Sequence, residues 1–287
     1  MSTFWSKEIQ SSEILYYSRF ARFNDYNKDE WFRLLQITNG IKVLEIGCGP
    51  GHFTNMIKRY YPDCDVYGVD LDSNHIEFAK NMADKLSLEI NYSVADATKL
   101  PFNDNEFDLI ISHTVVEHLP FADFISEQKR LLKDGGKVVF ICVDPKRKHV
   151  NDFDYNENEI SQVYNSLNFE SSKHTVGQYS QTPKEYLKLL NDYNFKKPKV
   201  NFAEIMFYFP YLCETSEEGV AQIKNQEISE IVNAKFSLSL ASNGKDYETQ
   251  LLSLIHDKFN KRMELYLKGE NVYDYESTAI NVFSAVK

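Results

Sequence analysis

Cysteine is scarce in this chain. Four occur in 287 residues, at Cys48, Cys64, Cys142 and Cys213, and no two form a Cys-x-x-Cys pair. That spacing excludes a disulfide framework and a thiolate zinc site, and reduced thiols fit a cytoplasmic protein. Long apolar runs are missing too. No stretch approaches the ~20 residues that span a bilayer, and the opening MSTFWSKEIQSSEIL has neither the basic nor the apolar region of an export signal. The expectation is a protein that is neither exported nor membrane-embedded. Positive charge is also in short supply: 32 Lys and Arg face 42 Asp and Glu, a net charge of −10. That balance argues against broad attraction to nucleic acid or anionic lipid. The one dense cationic run, KRKH at 146–149, follows a predicted strand and reads as a solvated loop. No repeat of 20 to 50 residues and no low-complexity segment is present.

The chain is rich in aromatic residues, with 18 Tyr and 20 Phe. A chain of this length buries roughly three quarters of its unfolded surface, so most of these rings belong to a core. Residues left over would suit an apolar or aromatic ligand. Strands and helices alternate through the middle. KVLEI (42–46), VYGVD (66–70), LEINYSVAD (88–96), FDLIISH (107–113) and KVVFICV (137–143) read as strands. Runs such as LII and VVFICV are apolar on both faces, as buried parallel strands are. Between them HFTNMIKRYY, SNHIEFAKNMADKL and FADFISEQKRLL carry helical spacing. Residues 42–144 therefore predict a doubly wound α/β sheet. Further on, TPKEYLKLLNDY begins with a capping box at Thr182 and Glu185, and helices are predicted near 216–236 and 246–268.

The stretch VLEIGCGPGHFT packs Gly47, Gly49 and Gly51 between a strand and a helix. Such a turn lets a backbone approach a ligand closely and places an anionic group near a helix N-terminus. A dinucleotide fingerprint would need its third glycine where His52 stands, and no Gly-Lys-Ser/Thr follows to make a P-loop. Asp70 ends the second strand, where a carboxylate can accept from both hydroxyls of a ribose, and Asp96 ends the third. In a doubly wound sheet these strand ends form one crevice.

Together these segments resemble the class I S-adenosylmethionine-dependent methyltransferases, especially the small-molecule group called methyltransferase type 11. VLEIGCGPG, VDLD, VADATKLPF, FDLIISHTVVEHL and LLKDGGKVVF match its motifs in order. The resemblance implies a Rossmann-like, mostly parallel seven-stranded sheet whose last two strands, at KVNFAEI (199–205) and AINVFSAVK (279–287), form an antiparallel hairpin. It implies S-adenosyl-L-methionine as cofactor and S-adenosyl-L-homocysteine as product. Glu45 would fix the turn and the cofactor's amino group, with Gly47, Cys48 and Gly49 beside its methionine moiety. Asp70 would take the ribose and Leu71 the adenine face, Asp96 and Ala97 would hold the adenine edge, and His113 and Thr114 would lie near the sulfonium. YYSRFARFND (16–25) resembles the aromatic leader helix that closes over the cofactor, which brings in Tyr16 or Tyr17, with Tyr17 named for the site.

Methyl transfer from a sulfonium is an in-line displacement, so the protein mainly positions the reactants. His113, His118, His174 and the tyrosines are possible bases. The pair Glu117 and His118 reads equally as catalytic or structural. HTVVEH has one residue too many for a metalloprotease motif, and no metal is expected. The acceptor is expected to be a small, partly apolar or aromatic molecule, since no Asn/Asp-Pro-Pro-aromatic tetrapeptide of the amino-methylating nucleic-acid enzymes occurs. A binding protein without catalysis is the alternative, and a nicotinamide-dependent oxidoreductase is disfavoured by the displaced glycine. The expected layout has a helical cap segment at 1–35, the cofactor core at 36–144, cap insertions at 145–181 and 206–275, and core again at 182–205 and 276–287. The aromatic run EIMFYFPY (204–211) is expected either in that cap's acceptor pocket or in the core beneath it.

Overall fold

The computed structural model describes residues 3, 5–169, 177–213 and 215–287. His174 lies outside the described residues. After one π-helical turn, Trp5–Ile9, come α1 (Ser12–Arg22), capped where Ile14 N–H donates to Ser11 Oγ, and α2 (Lys28–Leu35). Strand β1 (Lys42–Ile46) passes through the glycine turn into α3 (His52–Tyr60), and β2 (Asp65–Asp70) passes into α4 (Ser73–Lys85). Next are β3 (Asn91–Val94), β4 (Phe107–His113), α5 (Phe121–Leu131), β5 (Leu132–Asn151), α6 (Glu157–Ser166) and α7 (Pro183–Asp192). The chain closes with β6 (Lys196–Tyr208), α8 (Ser216–Leu240), α9 (Gly244–Leu267) and β7 (Tyr275–Val286).

The seven strands form one sheet in the order β3-β2-β1-β4-β5-β7-β6. The first five are parallel, and β7 runs antiparallel to both β5 and β6, the arrangement expected from the sequence. Alternation along the buried strands feeds two cores. Val43, Ile111, Val139 and Val282 face Trp31 of α2 and Phe53 of α3, while Leu44, Ile110, Phe140 and Phe283 face Phe124 of α5 and Tyr186 of α7. A third core is helical: Val163 of α6, Ile223 and Leu238 of α8, and Leu251, Ile255 and Phe259 of α9. The capping box at Thr182 and Glu185 forms as predicted.

Three expectations are corrected. KRKH is strand rather than loop, because β5 continues past Asp144 and pairs Lys148 with Thr278 and His149 with Ser277 of β7. The partner that makes it a strand lies about 130 residues further along the chain, beyond the reach of a local charge reading. Both β5 and β6 also run past the boundaries set for the core, so the sheet extends under the cap. Strand β3 is shorter than predicted, covering only 91–94.

The helical cap is tied to the sheet by a buried ion pair. Arg262 of α9 donates from Nε and Nη2 to the two carboxylate oxygens of Asp274 at 2.7 and 2.6 Å, and the residues are 1% and 2% exposed. Removing one member of such a pair strands a buried charge. Asp274→Ala is expected to lower stability by about 3–5 kcal/mol, and the apolar double substitution Arg262→Met with Asp274→Leu to recover most of it. Urea unfolding of the three proteins checks this. A single variant as stable as the parent would show that the pair is not what holds α9 to β7.

Candidate cofactor and acceptor site

Sheet order reverses between β1 and β4, and a cavity of about 520 Å³ opens there at the carboxyl ends of the strands. Strand β1 and the turn contribute Glu45, Gly47, Cys48 and Gly49 to its wall, and the end of β2 gives Asp70 and Leu71. Asp96 and Ala97 follow β3, while His113 ends β4 and Thr114 and His118 follow it. The structure thus brings together every residue named for the cofactor except Tyr17. That ring sits edge-on to Tyr16, 5.7 Å between centroids, and does not line the cavity. The face α1 turns to the cavity is Leu15, Arg19 and Phe23, spaced four apart, so the leader helix was legible but its inward stripe was not. Sequence reasoning also missed Thr3, Trp5, His75, Leu119 and Gln178, whose side chains reach the wall only through tertiary packing.

The cap expectation is corrected in part. No described residue of 206–275 lines this cavity. EIMFYFPY packs between sheet and cap: Ile205 and Phe209 are fully buried, and Tyr208 lies beside Arg262 and Asp274. Helix α8 rests on α1 and so supports the wall from behind.

The turn itself is held by internal packing. Gly47 has φ +68°, and a Cβ there would fall 2.3 Å from Val115 Cγ2; Gly51 has φ +81°, and its Cβ would meet the Tyr92 hydroxyl at 2.4 Å. Left-handed backbone and close approach both demand glycine at these two positions. The Gly49 N–H donates to Asp70 Oδ2 at 2.9 Å, and the Asp72 N–H donates to Asp70 Oδ1 at 2.8 Å. One carboxylate therefore joins the turn to the end of β2.

Electrostatics in the wall are unusual. Glu45 is 3% exposed between Gly68 of β2 and Ile111 of β4, and accepts from the Thr54 hydroxyl of α3. Burial pushes its carboxyl up to about 8, against the pull of Thr54 and Arg19. Burial also raises Asp70 and lowers its neighbour His75, whose Nδ1 is 2.8 Å from Ser12 Oγ. Hydrogen bonds from Thr98 hold the exposed Asp96 below the ordinary carboxylate range.

His113 is 4% exposed, and among the described residues its Nε2 has no hydrogen-bond partner. Burial, with Arg19 and Arg22 nearby, holds its pKa far below the usual histidine value, so it is a neutral imidazole. His118 accepts from the Gly177 N–H at Nδ1, 3.1 Å, which places its proton on Nε2. It is a donor in this state rather than a base. Glu117 is absent from the cavity wall, and burial raises its pKa. Thr114 has φ +52°, a strained value for a β-branched residue, and its hydroxyl accepts from Arg19 Nη2 at 2.9 Å. Among the described residues no group of three His, Cys, Asp or Glu is placed to hold a metal ion, and no helix is long and apolar enough to cross a membrane.

Residues 44–140 match the family profile described as a methyltransferase domain. Phosphoethanolamine N-methyltransferase 3 of Arabidopsis thaliana is 36% identical over 120 residues, 41% of this chain and 24% of that protein. A ubiquinone biosynthesis O-methyltransferase of Coxiella burnetii is 34% identical over 144 residues, 43% of this chain and 61% of that one. In fold, the chain is similar over its whole length to 60% of Haemonchus contortus phosphoethanolamine N-methyltransferase 2, solved with S-adenosyl-L-methionine, at 19% identity and a TM-score of 0.56. The chain thus spans less than two thirds of each of these proteins.

Glu45 makes stability depend on pH with a definite sign. Its folded pKa stands above the unfolded value near 4.3, so the native state holds the extra proton, and stability falls as pH rises from there through about 8. Glu45→Gln removes the ionisation. At pH 8.5 the ligand-free variant is expected to be on the order of 5 kcal/mol more stable than the parent, and at pH 4 about equal to it. Chemical denaturation at the two pH values measures this, and an equal gap at both would refute the shift.

Proposed function

We propose that this chain, whose residues 44–140 match a methyltransferase domain, is a class I S-adenosylmethionine-dependent methyltransferase that methylates a small-molecule acceptor. The observation that carries this reading is convergence: Glu45, turn residues 47–50, Asp70 and Asp96 come from three separate strand ends and share one cavity. The donor set suits a nucleoside attached to an amino acid. Glu45 would take the ammonium, Asp70 the two ribose hydroxyls, Leu71 the face of the adenine and Asp96 its amino edge, with His113 and Thr114 beside the sulfonium end. When bound, S-adenosylmethionine supplies an electrophilic methyl group, so the chemistry needs no activation by the protein beyond alignment and a dry site.

The cavity extends past these groups to Trp5, His118, Leu119 and Gln178. This wall favours catalysis over a protein that only binds the cofactor, because it offers an acceptor somewhere to sit. Trp5 packs edge-on against His118, 4.9 Å between ring centroids, giving a partly apolar surface with an imidazole N–H donor at hand. We infer an acceptor that is small and partly apolar, carrying an oxygen or nitrogen that His118 Nε2 and the Gln178 amide can orient. His118 then positions the acceptor, and a proton lost from it leaves by another route. The net charge of −10 disfavours a nucleic-acid acceptor.

The direct test is incubation of the purified protein with S-adenosylmethionine and fractionated metabolite pools, reading S-adenosylhomocysteine release. No release from any pool, from a protein that binds the cofactor, would favour the binding-only alternative. Asp70→Ala is expected to weaken S-adenosylhomocysteine binding on the order of 100-fold or more, since two charge-assisted hydrogen bonds are lost. Titration calorimetry on a folded variant decides it: unchanged affinity would remove Asp70 from the ribose.

A further inference from the structure

The acceptor side of the cavity is built from hydrogen-bond donors. His118 and Gln178 line it, and two main-chain bonds lock them together: the Gly177 N–H donates to His118 Nδ1 at 3.1 Å, and the Tyr179 N–H donates to the Glu117 carbonyl at 3.0 Å. These bonds bracket Gln178 and hold it at the exposed rim of the cavity, beside the turn that carries His118. The first of them uses the lone pair of a neutral imidazole, so His118 Nε2 keeps its proton and donates. Gln178 adds two amide N–H donors.

Proton acceptors lie elsewhere in the wall. His113 ends β4, but burial beside Arg19 and Arg22 keeps its imidazole neutral through the physiological range. Among the described residues the carboxyls of the wall are Glu45, Asp70 and Asp96, at or just past the carboxyl ends of β1, β2 and β3, where the cofactor reading puts the ammonium, ribose and adenine. An amine acceptor arrives at neutral pH as an ammonium without a lone pair, and has to shed a proton before it attacks. A carboxyl or an acidic phenol has already lost its proton to solvent, and its oxyanion needs donors rather than a base.

Resting on the cofactor reading above, we propose that the acceptor is an oxygen acid ionised at neutral pH, a carboxylate or an acidic phenol, whose oxyanion is received by His118 Nε2–H and the Gln178 amide while its apolar body lies against Trp5 and Leu119. In the transfer a lone pair of that oxygen forms the bond to the methyl carbon as the carbon–sulfur bond breaks and its electron pair passes to sulfur. The oxyanion and sulfonium charges cancel, leaving a methyl ester or ether and a neutral thioether. No proton is released in the step, so the reaction requires no base beside the acceptor.

Metabolite pools separated by charge on ion exchangers test this with S-adenosylmethionine labelled in its methyl group. Transfer is expected to the acidic fraction, with the label in a methyl ester, which base hydrolyses to methanol, or in a methyl ether, which base leaves intact. Transfer to the neutral or cationic fraction alone, or label recovered on nitrogen, would overturn the proposal and leave the methyltransferase reading standing, whereas no transfer to any fraction sinks both. A binding measurement gives a readout apart from turnover: para-nitrophenol is titrated with pH in the presence of the S-adenosylhomocysteine complex, and its absorbance reports ionisation. The complex is expected to bind the phenolate on the order of tenfold more tightly than the neutral phenol, so the bound probe ionises at lower pH than the free one. Gln178→Leu and His118→Phe are each expected to return the bound pKa most of the way to its free value, and either variant decides alone should the other fail to fold. An unchanged pKa in the parent, a lowered pKa that survives the substitutions, or tighter binding of the cationic para-nitrobenzylamine would refute the assignment.

Discussion

A carboxyl group placed in the middle of an apolar sheet sets the terms for this structure. Glu45 occupies an inward position of β1, between Gly68 of β2 and Ile111 of β4, and the fold has surrounded it without giving it a full counter-charge. Burying an ionised carboxylate there would cost several kcal/mol, so the group keeps its proton instead. Thr54 of α3 satisfies one oxygen, and Arg19 of α1 adds a distant positive field.

The same logic of shared partners recurs at the end of β2. Asp70 holds the turn through the Gly49 N–H, and two residues on Asp72 holds the N-terminal segment. Asp72 Oδ2 accepts from the Thr3 N–H at 3.0 Å, the Thr3 hydroxyl at 2.6 Å and the Ser6 N–H at 3.3 Å, while Oδ1 caps α4 through the Asn74 N–H at 2.9 Å. Against its burial these bonds hold the Asp72 carboxyl down at about 2. Trp5, carried on that segment, reaches across to His118 beyond β4. The residues before α1 therefore strap the cavity from the β2 side to the β4 side, with Asp72 as their fixed point. This is also how a site with a largely apolar wall is covered without contributions from the α8 and α9 segment. Those helices form a core with α6, α8 packs on α1 and α9 is pinned by Arg262 and Asp274, so the pair acts as a brace for the wall.

Much of this was legible in the chain itself, for identifiable reasons. Parallel strands are apolar on both faces, and helices on their flanks repeat every three or four residues, so the alternation over 42–144 fixes a doubly wound sheet. The glycine turn and the acids at strand ends are local: Gly47, Gly49, Asp70 and Asp96 sit within a few residues of elements that periodicity already locates. Because a doubly wound sheet brings its strand ends together, those residues could be placed in one crevice before any coordinates were considered.

What tertiary structure decided is everything that depends on partners far apart in sequence. KRKH is strand because β7 lies beside it, and no property of the tetrapeptide carries that information. Arg19 rather than Tyr17 faces the cavity because the rotation of α1 about its axis is set by Tyr16 packing on His52 and Phe78, contacts 36 and 62 residues away. His118 loses its standing as a base because an N–H from Gly177, 59 residues on, takes its free nitrogen lone pair. Periodicity and spacing report what a residue can do within its own element; which way that element is turned, and which distant group it meets, follow only from the packed whole.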